Sequence, residues 1–498
     1  MSITFANIPT TIRTPGTYAE IDNSRALKGL VQNPHKALII GQKIAAGSVD
    51  NLVLTAITKD NLANGYFGPG SVLARMCKMF KYNNPNTELY AMAVSGGTII
   101  ASAQLHFSVA LSATGNSLSG AGTVYMYLNG VRIDLNMTSG WSATDLASHA
   151  KTTINGSTYS ELPMIASASA DFLLLRAVNS GAQGNYLDVR FNYATGQSYP
   201  TGFGDSVLIS TFEGGVGAPD LGDAWAIIED EQFHHVIQPF IDAANLTEIE
   251  DELADRFKPL EDLWGHGYTA VRGTQASCTT LGNGRNSPHN TIMGVYNSPT
   301  DPAEWAAALG AVAAWNLNND PARPLQFLQL KGILPPPVEH RFSRSERDTL
   351  LYDGIATYIV SGGNVLIERC ITTYQADALG IPDPSYLDIQ TLATLAEIRY
   401  QYKTRMSSRF ISQRFKLADD DFPVQPGSKV ATPKTVKQET IALFALLQEK
   451  GLIENLDNFI DNLVVERDAT DQNRVNVLLV PDLINQFRVL AALIEFIL

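Results

Sequence analysis

The sequence predicts an α/β core with an inserted, mainly β module, an α+β C-terminal domain, and extended N- and C-terminal arms. Three observations lead there. Residues 36–94 read as strand, helix, strand. Residues 97–217 break that pattern with a stretch in which only 11 of 121 residues are charged. The α/β pattern then resumes, and it changes character beyond the proline-rich segment 321–337. At ~150 residues per domain, a chain of 498 residues implies about three domains.

The elements follow in order. Residues 1–20 carry Pro9, Pro15 and Gly16 among Thr and Ile, an extended arm with too few apolar residues for a core. KALIIG at 36–41 is a short, β-branched run ending in Gly, the mark of a buried parallel strand. In 68–82, Ser71 caps a helix whose Val72, Met76, Met79 and Phe80 share a face. ELYAMAV at 88–94 completes a βαβ unit, so residues 21–96 and 218–337 form the α/β core. Within the insert, 123–131 alternates around an Asn-Gly turn, 172–177 and 186–193 read as strands, and 141–155 as a helix. After it, 224–229 is expected as a strand, 233–257 as a helix, and 268–272 and 292–296 as strands. An Ala-rich helix starts at Pro302. The segment 321–337, with Pro321, Pro324 and Pro335–Pro337, is expected to be a linker to the next domain.

The C-terminal domain is placed at 338–472. It holds a strand at 365–374, a long helix at 387–410, and a helix at 432–450 that Thr432 and Pro433 start and Gly451 stops. The last arm, 473–498, begins with a strand at 475–480 that Pro481 breaks. Residues 487–498 are apolar on both alternating faces. They suit either a strand buried in a neighbour's sheet or a C-terminal helix docked at home.

The composition excludes several functions. Thirty-six basic against 50 acidic residues leave a formal charge of −14, which disfavours direct nucleic-acid binding. No run approaches the ~20 apolar residues of a membrane span, so membrane insertion is not expected. The N-terminus shows no secretory pattern, and Cys77, Cys278 and Cys370 form no pair or metal spacing, so reduced thiols are expected. The sequence lacks GxGxxG, a P-loop, HExxH and GxSxG. No cofactor is expected. The adjacent pair His234–His235 is a poor metal pair, expected at an exposed or capping position. His266 lies in a turn before a strand, where a hydrolase histidine could act beside Asp262. GNGR at 282–285 reads as a loop and Asp419–Asp421 as a solvated turn. One charge feature is unusual: Lys403, Arg405, Arg409, Arg414 and Lys416 lie in an acid-free stretch. It suits either a helix C-terminus or a strip facing an acidic partner.

SITFANIPTTIRTPGTYAEIDNSRA, then IIGQ and FGPGSVLARMCKMF, resemble the start of the tail sheath proteins of Mu-like contractile-tailed phages. RFKLADD, VATPKTVKQETIALFALLQEKGLIENLDNF and VVERDATDQNRVNVLLVPDLINQFRVLAALIEFIL resemble that family's C-terminus. The similarity spans 1–96 and about 220–498, and the insert matches least.

The resemblance implies a non-catalytic, subtilisin-like core and a virion subunit that is no enzyme. Copies would stack as sixfold rings around a tail tube protein, meet baseplate and tail terminator proteins, and contract to drive the tube through the host envelope. It also implies arms exchanged between subunits. Their candidate residues are Ile3, Phe5, Ile8, Ile12 and Tyr18 at one end. At the other they are Val477, Leu479, Phe487, Val489, Leu490, Leu493, Ile494 and Phe496. The strip Lys403–Lys416 becomes the candidate tube contact. Two other readings stand beside this one: a hydrolase on the α/β core, and a different virion protein such as a tube or capsid subunit.

Overall fold

The computed structural model describes residues 11, 13–19, 29–107, 118, 120–200, 203, 207–425 and 427–497. Among them, eight strands form a central sheet in the order 364–369, 355–361, 290–295, 266–272, 235–237, 36–42, 88–94, 55–56. The middle six are parallel, and the two edge strands run antiparallel. Both faces are covered, as a parallel sheet requires. The strand Lys36–Gln42 shows how its sequence serves both. Ala37 and Ile39 join the core under helices Val72–Asn83 and Pro302–Asn319. Leu38 and Ile40 join the opposite core with Trp225, Phe240, Ile249 and Leu253. Gly310 lets the Pro302–Asn319 helix lie against the sheet, because a Cβ there would sit 2.4 Å from Ile237 Cγ1.

Several expectations need correction. Residues 224–229 are not a strand: Gly222–Ile228 is a helix, with Ala224, Trp225 and Ile228 on its buried side. The expected helix 233–257 begins instead with the strand His235–Ile237. Pro239 cannot continue a helix, and a new one, Ala243–Arg256, starts at the Asp242 cap. The proline-rich segment is no linker. It runs along the sheet edge, where Phe327 N donates to Ile367 O (2.7 Å) and Leu330 N to Val365 O (2.9 Å). Such cover protects an edge strand. The strands Ile355–Ser361 and Asn364–Arg369 belong to the central sheet, so the start of the C-terminal domain moves from 338 to about 397.

The insert has its own core, built on Leu105, Val124, Met126, Ile133, Leu173 and Leu175. Two antiparallel sheets and the helix Ala143–Ile154 enclose it. Asn129 (φ 49°) and Gly130 (φ 81°) make the expected tight turn of its hairpin. The chain leaves and re-enters the α/β core side by side, with Thr98 N donating to Val216 O (2.9 Å).

Polar groups fasten insert to core. Arg272 donates to the carbonyls of Tyr186, Ser298 and Thr300, and Asn129 donates to Glu304. Glu304 and Asp301 share the buried Arg75, at 3.4 and 2.7 Å. Substitution of Arg75 by Met is therefore expected to leave two buried carboxylates facing each other and to cost about 3–5 kcal/mol, read from a denaturant midpoint. A loss under 1 kcal/mol would show that this cluster does not hold the insert.

The chain divides into two units. Among the described residues, one comprises 34–396 with 485–497; the other comprises 397–484 with those before 34. The second unit packs helix Pro433–Glu449 against Leu456–Asn462, with Phe444 and Phe459 stacked at 3.9 Å between ring centres. Thr432 caps the first of these helices and Gly451 (φ 71°) follows it, as expected.

Candidate assembly interface

Residues 487–498 were expected as a neighbour's strand or a docked helix. Among the described residues 487–497 there is no helix and no strand. The segment lies bare: Leu493 and Ile494 are 86% and 87% exposed and Ile497 fully so, with Phe487, Val489, Leu490 and Phe496 also exposed. Contiguous apolar surface of this kind marks an interaction site. The charged residue behaves the opposite way. Arg488 is half-buried, with Nη2 2.8 Å from Asp388 Oδ1 and 3.3 Å from Gln390 Oε1, and it also meets Gln486. Asp388 holds a second cation, Arg369, at 2.9 and 3.1 Å. Gln326 donates to the carbonyl of Phe487 (3.3 Å). Among the described residues the segment is thus tied down at 487–488 and exposed beyond.

In the other unit, Val464–Arg467 and Val475–Leu478 form an antiparallel hairpin, with Val477 opposite Val465. Among the described residues each strand pairs on one side only. Val475 and Val477 line a 250 Å³ groove with Tyr402, Met406, Phe410 and Phe415. Leu479 is half-buried just past the hairpin. Of the N-terminal candidates, Ile3, Phe5, Ile8 and Ile12 lie outside the described residues. Tyr18 is exposed and donates only locally, to Thr14 O. Val31 is anchored to the second unit's Gln401. Gln401 accepts from Val31 N (3.0 Å) and donates to Val31 O (2.6 Å), as a strand partner would.

The basic strip occupies the end of helix Ile389–Met406, a π-helical turn Ser407–Ile411, and the strand Lys416–Leu417. Its members differ. Arg405 is held by Glu439 at 2.5 Å, and Arg409 stands 3.7 Å from the same carboxylate while 64% exposed. Lys403, Arg414 and Lys416 are exposed.

His266 and the pair His234–His235 are packed as core residues. His266 is fully buried, its Nε2 on Thr291 Oγ1 (2.8 Å) and its Nδ1 without a partner. His234 and His235 are buried rather than exposed or capping, because they open a central strand. His35 stacks on His234 at 4.2 Å and meets His235 Nε2 at 3.0 Å; His235 Nδ1 meets the Tyr268 hydroxyl at 3.1 Å. Burial holds all four well below the usual imidazole range, His234 down to about 3. Neutral imidazoles shut inside a core do the work of packing. Among the described residues no cluster of His, Cys, Asp and Glu is set to hold a metal ion, and no helix is long and apolar enough to cross a membrane.

Sequence reasoning did not single out Arg488 or Gln401. A lone Arg between Gln486 and a run of apolar residues was the available signal for the first.

Comparison with known proteins bears on what these surfaces serve. Residues 214–373 match the phage tail sheath protein central domain, and 382–497 the phage tail sheath C-terminal domain. The chain is 36% identical over 503 residues to the Mu-like prophage FluMu tail sheath protein of Haemophilus influenzae, all of both chains being covered. Among solved structures, it is similar to a sheath tail protein from Desulfitobacterium hafniense, at 14% identity and a TM-score of 0.47, covering 94% of this chain and 100% of that one. It is likewise similar to the anti-feeding prophage helical sheath in its contracted state, at 10% identity and a TM-score of 0.47, over 98% and 99% of the two chains.

Proposed function

The chain belongs to the phage tail sheath family, as a Mu-like contractile tail sheath subunit, and from that premise we propose that it polymerises by lending its C-terminal arm to an adjacent copy. It is a structural protein of the virion tail and not an enzyme. The bare apolar run 489–497 carries the reading. Among the described residues of one molecule its side chains stay exposed; as an added strand beside the one-sided hairpin of a second copy it would gain backbone pairing and cover for them. The N-terminal arm serves the same exchange from its anchor at Val31. Paired strands stay bonded while the chain leading to them hinges, so rings can rotate without parting.

Copies stack as sixfold rings around a tail tube and meet baseplate and terminator proteins at the ends. The sleeve assembles in an extended, higher-energy state. Contraction exchanges sheath–tube contacts for larger sheath–sheath contacts, which drives the tube through the host envelope without a nucleotide. A difference of about 5 kcal/mol already decides a single two-state unit, and many subunits act together. Tube contacts must release, which suits surface ion pairs of about 0.2–1 kcal/mol each. The cations that project from the second unit at Arg409, Arg414 and Lys416 supply them.

Negative-stain microscopy of the purified protein should show striated sleeves; smooth thin tubes, shells or dispersed particles would count against the reading. Charge reversal at Arg409 and Arg414 should leave empty sleeves able to form but at least tenfold less able to coat tubes. Normal tube-filled, contractile sleeves from that variant would remove the strip from the tube contact.

A further inference from the structure

We propose that Arg488 is the positioning residue of the C-terminal arm: it clamps the arm's root to the edge of the central sheet and so sets the point from which a free, apolar strand departs. The inference rests on the arm-exchange reading above. Across residues 487–497 every side chain is exposed except that of Arg488. A tail seeking its own fold would do the reverse, burying its Phe, Leu and Ile and leaving Arg in water.

The burial of Arg488 also has a cost. All its contacts run through Nη2, while Nε and Nη1 are buried without partners. A buried donor left bare is unfavourable. The carboxylate it meets does not need it, since Asp388 already holds Arg369 through two bonds. A contact so poorly justified by single-chain stability makes sense as a fixture. Arg369 ends the edge strand Asn364–Arg369, so the series Arg369, Asp388, Arg488 ties the arm to a rigid element. Gln326, from the segment covering that edge, adds a bond to the Phe487 carbonyl. Beyond this tie lie ten residues, 489–498, a reach of roughly 35 Å when extended. Releasing the tie would let the strand search a wider volume and lower its effective concentration at the neighbour's hairpin.

The test compares full-length wild type with Arg488→Met and Arg488→Lys. The Met variant should keep the melting temperature of the unassembled chain within about 2 °C, gain protease cleavage near 485–488, and need at least tenfold more protein to form sleeves. The Lys variant, which restores a cation without the fork, should recover part of that deficit. Assembly of the Met variant at the wild-type concentration would overturn the proposal. So would a melting temperature lowered by more than about 5 °C, since Arg488 would then be a stability residue. A parallel deletion of 489–498 separates the two levels. If the deleted chain still builds sleeves, arm exchange itself fails; if only the deletion blocks assembly, the clamp alone fails.

Discussion

Deletion of Val489–Leu498 is expected to yield a folded, soluble chain that no longer polymerises. The two halves of that expectation have separate grounds. Folding survives because residues 489–497 contribute nothing to the core clusters of the single chain. Assembly fails because Val489, Leu490, Leu493, Ile494, Phe496 and Ile497 are the apolar surface that a second copy would cover. Full burial of such side chains contributes about 1.5–3 kcal/mol each, and ordering the backbone opposes it at about 1–2 kcal/mol per residue. Even a surplus of about 4 kcal/mol corresponds to roughly 10³-fold in the protein concentration needed for assembly. Sedimentation and microscopy at matched concentrations would read both halves. A point variant sharpens the result: Leu493→Asp places a charge on one face of the strand and should raise the assembly concentration by at least tenfold without moving the melting temperature. Regular sleeves from the deleted chain would dispose of the idea.

The sequence disclosed what is local. Ser71, Pro302 and Thr432–Pro433 announce helix starts, and the structure begins a helix at each, with Ser71 and Thr432 capping through their side chains. The run KALIIG is a strand because nothing else suits a β-branched stretch ended by Gly. Short strands buried on both faces carry no period, so His235–Ile237 reads as part of a helix and Ile355–Ser361 gives no signal of its own. The run Ala-Trp-Ala-Ile-Ile is equally ambiguous, which is why residues 224–229 read as a strand. Long-range polar pairs were out of reach. Nothing near Arg75 points to Asp301, 226 positions away. The C-terminal arm stands between these cases. Its two-faced apolar pattern was plain, but only coordinates distinguish a docked helix from a bare extended segment. The histidine cluster shows the same limit, since three strand ends that adjoin in space supply residues scattered from 35 to 266.

That cluster sets the second large effect: the core is expected to lose stability steeply as pH falls from 6.5 to 5. His35, His234, His235 and His266 are buried neutral at the N-terminal ends of adjacent strands, with Trp264, Tyr268 and Thr291 around them. Among the described residues no carboxylate hydrogen-bonds to these four rings; the Glu231 carboxylate pairs with Lys36 instead. Their folded pKa values lie below the unfolded value of about 6.5, burial being the main cause. The unfolded chain therefore binds more protons than the folded one below pH 6.5. Stability is complete above that pH and declines as acid is added. Each histidine contributes at most about 1.4 kcal/mol per pH unit, and less near pH 6.5 where the unfolded imidazole is half protonated, so four together contribute several kcal/mol between pH 6.5 and 5. That equals much of the stability of an ordinary domain. Carboxylates such as Glu346, whose pKa is lowered by the Ser343 backbone N–H, act in a separate window near pH 4 and below. Denaturant midpoints of the unassembled chain at several pH values would measure the slope, and His234→Asn with His266→Gln should halve it. A midpoint constant from pH 6.5 to 5 would mean that these imidazoles already take up protons in the folded core, contrary to their enclosure.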